Sequence, residues 1–156
     1  PQGIPFNQKK ASDFSLKPNL ILVCGRYEGV DERVLINEVD EVCSVGDYIL
    51  SGGEMASLII IETVSRLIDG VLGDSESSKQ DSFSDGLLEY PQYTRPEVSE
   101  YGDVPKVLLS GNHQEIQRWR LKQSLKRTIR YRPDLIKIKD LSEEEKELIN
   151  EINDEE

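Results

Sequence analysis

The stretch Ser44-Val45-Gly46-Asp47-Tyr48-Ile49-Leu50-Ser51-Gly52-Gly53-Glu54 constrains this chain more than any other. A short apolar run is boxed in by Gly46 on one side and the Gly52-Gly53 pair on the other. Glycine permits positive φ and lets backbone approach a neighbour with no Cβ between them. Residues 55–68 then read as a helix, so the spacing predicts a loop that wraps round something. The helix it enters would turn its free N–H groups toward the same place. A second loop of this kind, Gly25-Arg26-Tyr27-Glu28-Gly29, follows the apolar run Leu20-Ile21-Leu22-Val23-Cys24. Two glycine-bracketed loops after candidate strands describe either one ligand pocket at the strand ends or two plain tight turns. Neither fits a G-x-G-x-x-G or a Walker pattern, which excludes a dinucleotide or triphosphate P-loop.

The rest of the chain follows from periodicity. Residues 1–3 read as a tight polar turn and 4–19 as a mixed loop or weak helix. The continuous apolar run 20–24, with its β-branched residues, predicts a strand buried on both faces. Asp31 is placed to cap a short helix to about Glu38. Residues 41–45 and 48–50 are short strand candidates. In the helix 55–68, Leu58, Ile61, Val64, Leu67 and Ile68 recur over much of the circumference, which predicts a largely buried helix. Residues 74–84 are polar and serine-rich, the composition of a mobile linker. Further on, Asn112 with Glu115 marks a capped helix start, and the helix runs to about Arg130. Ser142 with Glu145 starts a last, acidic helix, whose Leu148, Ile149 and Ile152 are expected to dock only weakly. Strands alternating with helices up to residue 70, then helical and irregular patterns alone, predict an α/β unit joined to a small helical domain.

Charge matters through its distribution. The net charge of −11, from 19 basic and 30 acidic residues, argues against nucleic acid when averaged. Yet residues 117–132 hold seven basic side chains and no acid, while 140–156 hold nine acids and one lysine. Arg118, Lys122, Lys126 and Arg130 form a row at one-turn spacing beside an apolar row of Leu121, Leu125 and Ile129. The row is either a solvated face paired with the acidic tail or a surface for successive phosphates, with Trp119 and Tyr131 nearby. Cys24 and Cys43 form neither a C-x-x-C pair nor part of a His-rich cluster, so buried, reduced thiols of a cytoplasmic protein are expected and a metal site is not. No apolar stretch is long enough to span a membrane. Taken singly, Glu28 is a solvated loop charge or a ligand contact. Arg66 is an arginine snorkelling to its helix end or a site residue, and Asp81 in its polar surroundings reads as a solvated charge. His113 reads as a first-turn helix residue.

Five blocks then carry a resemblance: GRYEGVDERV, SVGDYILSGGE, VSRLIDGVLG, DSFSDGLLEYPQYTRP and LLSGNHQEIQRWRLKQSLKRT. In order, and over roughly residues 1–135, they closely resemble the bacterial tRNA (guanine-37-N1)-methyltransferases, the TrmD family. The resemblance implies a SPOUT-type α/β fold whose parallel sheet carries a trefoil knot, followed by a small helical domain that grips tRNA. It also implies S-adenosylmethionine as methyl donor, and a homodimer with the active site at the subunit interface. Carried over residue by residue, Pro1, Gly25, Tyr27, Glu28, Val45, Gly46, Tyr48, Leu50, Gly52 and Gly53 line the donor site. Asp81 matches the general base and Arg66 the arginine near the target guanine, roles that the residues by themselves do not suggest. Two positions depart from the pattern: Asp69 stands where proline is common, and Met55-Ala56-Ser57 replaces a segment that often holds proline. Family members also carry a substantial segment before Pro-Gln-Gly that supplies the first strands. The chain is therefore expected to be a piece of a longer protein.

The expected organisation is the C-terminal half of the knotted donor-binding domain over residues 1–73, a linker over 74–84, a tRNA-binding domain over 85–139 and an acidic tail over 140–156. The expected function is methylation of guanine N1 in tRNA, with the linker ordering as tRNA docks. The alternatives are a non-catalytic tRNA-binding fragment and a SPOUT methyltransferase acting on another RNA nucleoside.

Overall fold

The computed structural model describes residues 1–71 and 81–155. They divide between two units, Pro1–Ser78 and Lys79–Glu156, each with a core of its own. The architecture is mixed α/β, with helices and two small two-stranded sheets.

In the first unit β1 (Ile4–Pro5) pairs in parallel with β2 (Cys43–Ser44), Ile4 facing Cys43 and Pro5 facing Ser44. Three helices follow from their caps and apolar spacing. The Asn7 side chain accepts from Lys10 N at 2.9 Å and starts α1 (Gln8–Ser15). Asp31 accepts from Arg33 N at 2.9 Å and starts α2 (Glu32–Glu38), as the sequence predicts. α3 (Glu54–Ser65) opens at Gly53 without a side-chain cap bond from that residue. Ala11 of α1 is small enough to let α3 approach, and it is buried with Ile60 and Val64 under Phe6, Phe14, Leu22 and Val45.

Three expectations for this unit are corrected. Residues 20–24 are not a strand: among the described residues no strand pairs with them, Ile21 is 87% exposed, and only Leu22 reaches the core. An apolar run signals β-structure only through the neighbours it would pair with. Residues 48–50 likewise join no ladder. The third concerns α3, which is not largely buried. Ile60 and Val64 are covered, whereas Met55, Leu58, Ile59 and Ile61 are exposed, because α1 covers a single stripe of it.

The second unit begins among the described residues with a hydrogen-bonded turn. Ser84 N donates to Asp81 O, Phe83 N to Leu87 O at 2.7 Å, and Glu89 N to Ser82 Oγ at 2.9 Å. Residues 74–80 of the expected linker lie outside the described residues. A hairpin that the sequence pattern does not announce pairs β3 (Val98–Ser99) with β4 (Gly102–Asp103). Then come α4 (Lys106–Leu109), α5 (His113–Tyr131), α6 (Pro133–Ile138) and α7 (Glu143–Asp154). Asn112 caps α5 by accepting from Glu115 N, and Pro133 at the first turn of α6 forces the break after α5. Ser142 and Glu145 complete a reciprocal capping box at α7.

The apolar row of α5 does face inward. Leu125 is fully buried with Leu87, Leu148 and Ile152, and Leu121 and Ile129 pack against them. α7 is therefore not weakly docked, contrary to expectation. Its Leu148 is 0% exposed, so the acidic helix supplies the core with the apolar stripe on its other side.

Candidate functional site

The two glycine loops of the first unit come together. Arg26 and Gly52 form an antiparallel bridge, and Gly53 N donates to Gly25 O at 3.2 Å. A Cβ on Gly53 would stand 3.1 Å from Cys24 Cα, so a larger residue there would have to push the two loops apart by a few tenths of an ångström. Side chains pin it from both ends. Arg26 Nε donates to Glu54 Oε1 at 2.6 Å, and Cys24 Sγ lies 2.8 Å from Ser57 Oγ. Glu54 also turns back on the start of α3. Its own backbone N–H, then Arg26, hold its carboxyl below the usual range. The N-terminus of α3 is thus met by a carboxylate of the chain itself, a feature that the spacing does not disclose.

The remaining loop positions fall into two groups. Val45 packs into the Ala11–Ile60–Val64 core, and Tyr48 Oη donates to Val45 O at 3.1 Å, which closes the segment on itself. Gly46 sits at φ +152, with the Tyr48 ring where a side chain would go. Pro1, Tyr27, Glu28, Tyr48 and Leu50 are exposed. Tyr27 takes φ +60 and is 98% exposed, a left-handed conformation unusual for a non-glycine residue. At Gly29 nothing stands within 4 Å of a would-be Cβ. Open space at Gly29 stands beside the exposed Tyr27 ring and the Glu28 carboxylate, so this loop offers an apolar face for a flat ring and an acceptor for hydroxyl groups, which suits an adenosine-bearing ligand.

The two candidate catalytic residues belong to different units. Arg66 is the C-cap of α3, half-buried, its backbone N–H donating to Glu62 O at 3.2 Å. Asp81 heads the turn of the second unit and lines a cavity of about 190 Å³ with Glu89, Tyr90, Gln117, Arg120 and Ser124. That turn is tied to α5 by Thr128, which is fully buried. Its Oγ1 accepts from Leu88 N at 2.9 Å and donates to Ser124 O at 2.7 Å. No signal in the sequence points to Thr128 or Arg120, since neither lies on a row that periodicity picks out.

The basic row of α5 is divided. Arg118 pairs with Glu151 of α7, and Lys122 Nζ lies 2.9 Å from Glu151 and 2.7 Å from Glu155. Hydrogen bonds from Arg118 first and Lys122 second hold the Glu151 carboxyl down to about 2. Lower on the helix, Arg127 donates to Glu89 O, the Arg130 guanidinium lies 5.3 Å from the Tyr131 ring centroid, and Lys126 makes no hydrogen bond or ion pair among the described residues. Tyr93 and Trp119 stand as a tilted aromatic pair, ring centroids 6.3 Å apart.

Residues 1–138 match the family model for tRNA (Guanine-1)-methyltransferase TrmD. The chain belongs to that family. Among curated relatives, a tRNA (guanine-N(1)-)-methyltransferase of Shewanella sediminis is 56% identical over 151 residues, 97% of this chain and 62% of the relative. Those of Hahella chejuensis and Klebsiella pneumoniae subsp. pneumoniae are each 56% identical, over 97% and 99% of this chain and 59% and 61% of their own length. The chain thus spans about three-fifths of the length of these relatives. Helix α7 lies beyond the family match, which ends at residue 138. Among the described residues no helix is long and apolar enough to cross a membrane, and no three His, Cys, Asp or Glu side chains are grouped to hold a metal ion.

Proposed function

We propose that the chain takes part in methylating N1 of guanosine 37 in tRNA, with S-adenosylmethionine as the donor, within a homodimer. The family match over residues 1–138 carries this reading, and the crossing of the two glycine loops supports it. The loops 25–29 and 45–53 would hold the donor, with Tyr27, Glu28, Tyr48 and Leu50 exposed and backbone close to the surface at Gly25, Gly46, Gly52 and Gly53. When bound, the donor supplies a methyl group on a positively charged sulfonium, which leaves as a neutral thioether. Guanine N1 carries a proton at neutral pH and attacks only as that proton is removed. Asp81 is the general base that takes it, and the Arg66 guanidinium stabilises the charge that develops on the guanine oxygen. The exposed apolar side chains of α3, Met55, Leu58 and Ile61, suit the subunit contact that the dimer requires.

On α5, Lys126 and Arg130 meet RNA phosphates directly. Arg118 and Lys122 do so only by exchanging Glu151 and Glu155 for phosphate oxygen. The test is single-turnover methylation of a tRNA transcript by the full enzyme. Asp81→Ala is expected to slow it by about 100-fold or more, the contribution of a positioned base. An unchanged rate would remove Asp81 from the role. Exposure of Leu20, Ile21 and Val23 favours a second reading, in which the chain binds tRNA without the donor. Calorimetric titration of S-adenosylmethionine into the chain separates the two, since the second reading gives no heat of binding.

A further inference from the structure

Thr128 of α5 is 0% exposed, so its hydroxyl touches no substrate itself. Its Oγ1 donates to Ser124 O at 2.7 Å and accepts from Leu88 N at 2.9 Å. The first bond adds little, because residues 124 and 128 are one helical turn apart and the backbone ladder already uses that carbonyl. It does fix the hydroxyl, which leaves a lone pair for Leu88. A valine would fill the same volume and keep the helix. What threonine adds is an acceptor for one N–H forty residues away in the sequence.

That N–H belongs to the turn headed by Asp81. On the turn's closing side, Glu89 N donates to Ser82 Oγ at 2.9 Å, beside Asp81 in the chain. Phe83 N donates to Leu87 O at 2.7 Å, and Ser84 N to Asp81 O at 3.2 Å. Phe83 takes φ +73, a costly conformation for an aromatic residue that persists only where its surroundings impose it. Those surroundings are fixed points of the second unit. Leu87 is 1% exposed in the core, and Lys139 Nζ holds Asp85 O at 2.6 Å. Arg127, next to Thr128, donates to Glu89 O at 3.2 Å. Consecutive residues of α5 therefore grip consecutive residues of the turn, and bonds lead from Thr128 through Leu88, Glu89 and Ser82 to Asp81.

We propose that Thr128 is a positioning residue for methyl transfer, holding the 82–89 turn so that the Asp81 carboxylate stands where the proton is taken. This inference rests on the reading of Asp81 as general base given above. A base acts only within hydrogen-bond reach of its proton, and a misplacement of about 1 Å can cost on the order of 100-fold.

The test is single-turnover methylation of a tRNA transcript by the full enzyme, over a range of tRNA and donor concentrations. Thr128→Val is expected to lower the saturated rate by about tenfold or more and to leave both half-saturation concentrations unchanged. Thr128→Ser, which keeps the hydroxyl, is expected to restore most of the rate. In an Asp81→Ala background, Thr128→Val is expected to cost nothing further, since the group it positions is gone. Ser82→Ala breaks the same path near its other end and should behave as Thr128→Val does; it decides by the same criteria if Thr128→Val does not fold. A wild-type rate in Thr128→Val, or an effect confined to half-saturation, overturns the proposal while a slow Asp81→Ala keeps the base. Further slowing of Asp81→Ala by Thr128→Val also overturns it, because the threonine then acts through another group. A wild-type rate in Asp81→Ala alone removes the base reading, and this inference with it.

Discussion

Cys43 and Cys24 show how two residues of one type come to differ within one unit. Cys43 is half-buried in the first core and donates to Glu41 Oε1 at 3.2 Å. Burial first, and the Glu41 carboxylate second, push its thiol up to about 11. Below that pH it stays protonated and unreactive, because the thiolate is the nucleophile. Cys24 is exposed, which corrects the expectation that both thiols are buried. Alkylation with iodoacetamide at pH 8, followed by peptide mass spectrometry, is expected to label Cys24 first. Labelling of Cys43 should then rise steeply with pH up to about 11. Equal labelling of the two at pH 8 would show that the burial around Cys43 is not maintained in solution. Asp81, Arg120 and Thr128 make the same point in the second unit. Their chemistry is set by what stands round them: a shared cavity for the first two, and Leu88 N with Ser124 O for the third.

Among the elements, the pairing of α5 with α7 is the arrangement with the most consequences. Leu148 and Ile152 fasten α7 to the core, and its acidic face then meets the upper half of the basic row. Glu151 has an ordinary value of 4.5 and a folded value of about 2. A carboxyl depressed on folding contributes stability that is complete above the ordinary value and lost as pH falls through the folded one. The pairing therefore weakens between about pH 4.5 and 2. Thermal melts across that window are expected to show the gap between wild type and Glu151→Gln narrowing as pH falls. A gap that stays constant would mean that Glu151 is not held by Arg118 and Lys122 in solution. The hairpin of β3 and β4 illustrates a smaller element. Two residues a side, closed by Ser99 Oγ donating to Gly102 O at 2.8 Å, are too short for any alternation to announce them.

For the molecule as a whole, two units with separate cores allow the proposed function to be tested unit by unit, with the proposed donor loops in the first and the proposed RNA contacts in the second. Replacing both Lys126 and Arg130 by alanine is expected to weaken tRNA binding. The slope of log affinity against log salt should fall by about 0.7 to 0.9 for each phosphate that is no longer neutralised. Calorimetry of the same variant is expected to give unchanged S-adenosylmethionine affinity. A parallel fall in donor affinity would contradict the division of labour. Arg118 and Lys122 are the less informative targets, since replacing them also disturbs Glu151 and Glu155.

The caps at Asp31, Asn112 and Ser142, the inward row Leu121–Leu125–Ile129 and, through five blocks of residues, the family are all legible in the order of the amino acids. Each is written in neighbouring residues, because a cap or a helical face is closed within one or two turns. Packing settled the rest: residues 20–24 find no ladder among the described residues, α3 stays half-open, and α7 becomes core and claims Arg118 and Lys122. Packing also stacks Arg120 on Tyr90, with its Nε buried in the lining shared with Asp81. These outcomes depend on partners tens of residues away. An apolar run or a charged row records only what a segment is able to pair with, and the competition among partners is resolved when the chain packs.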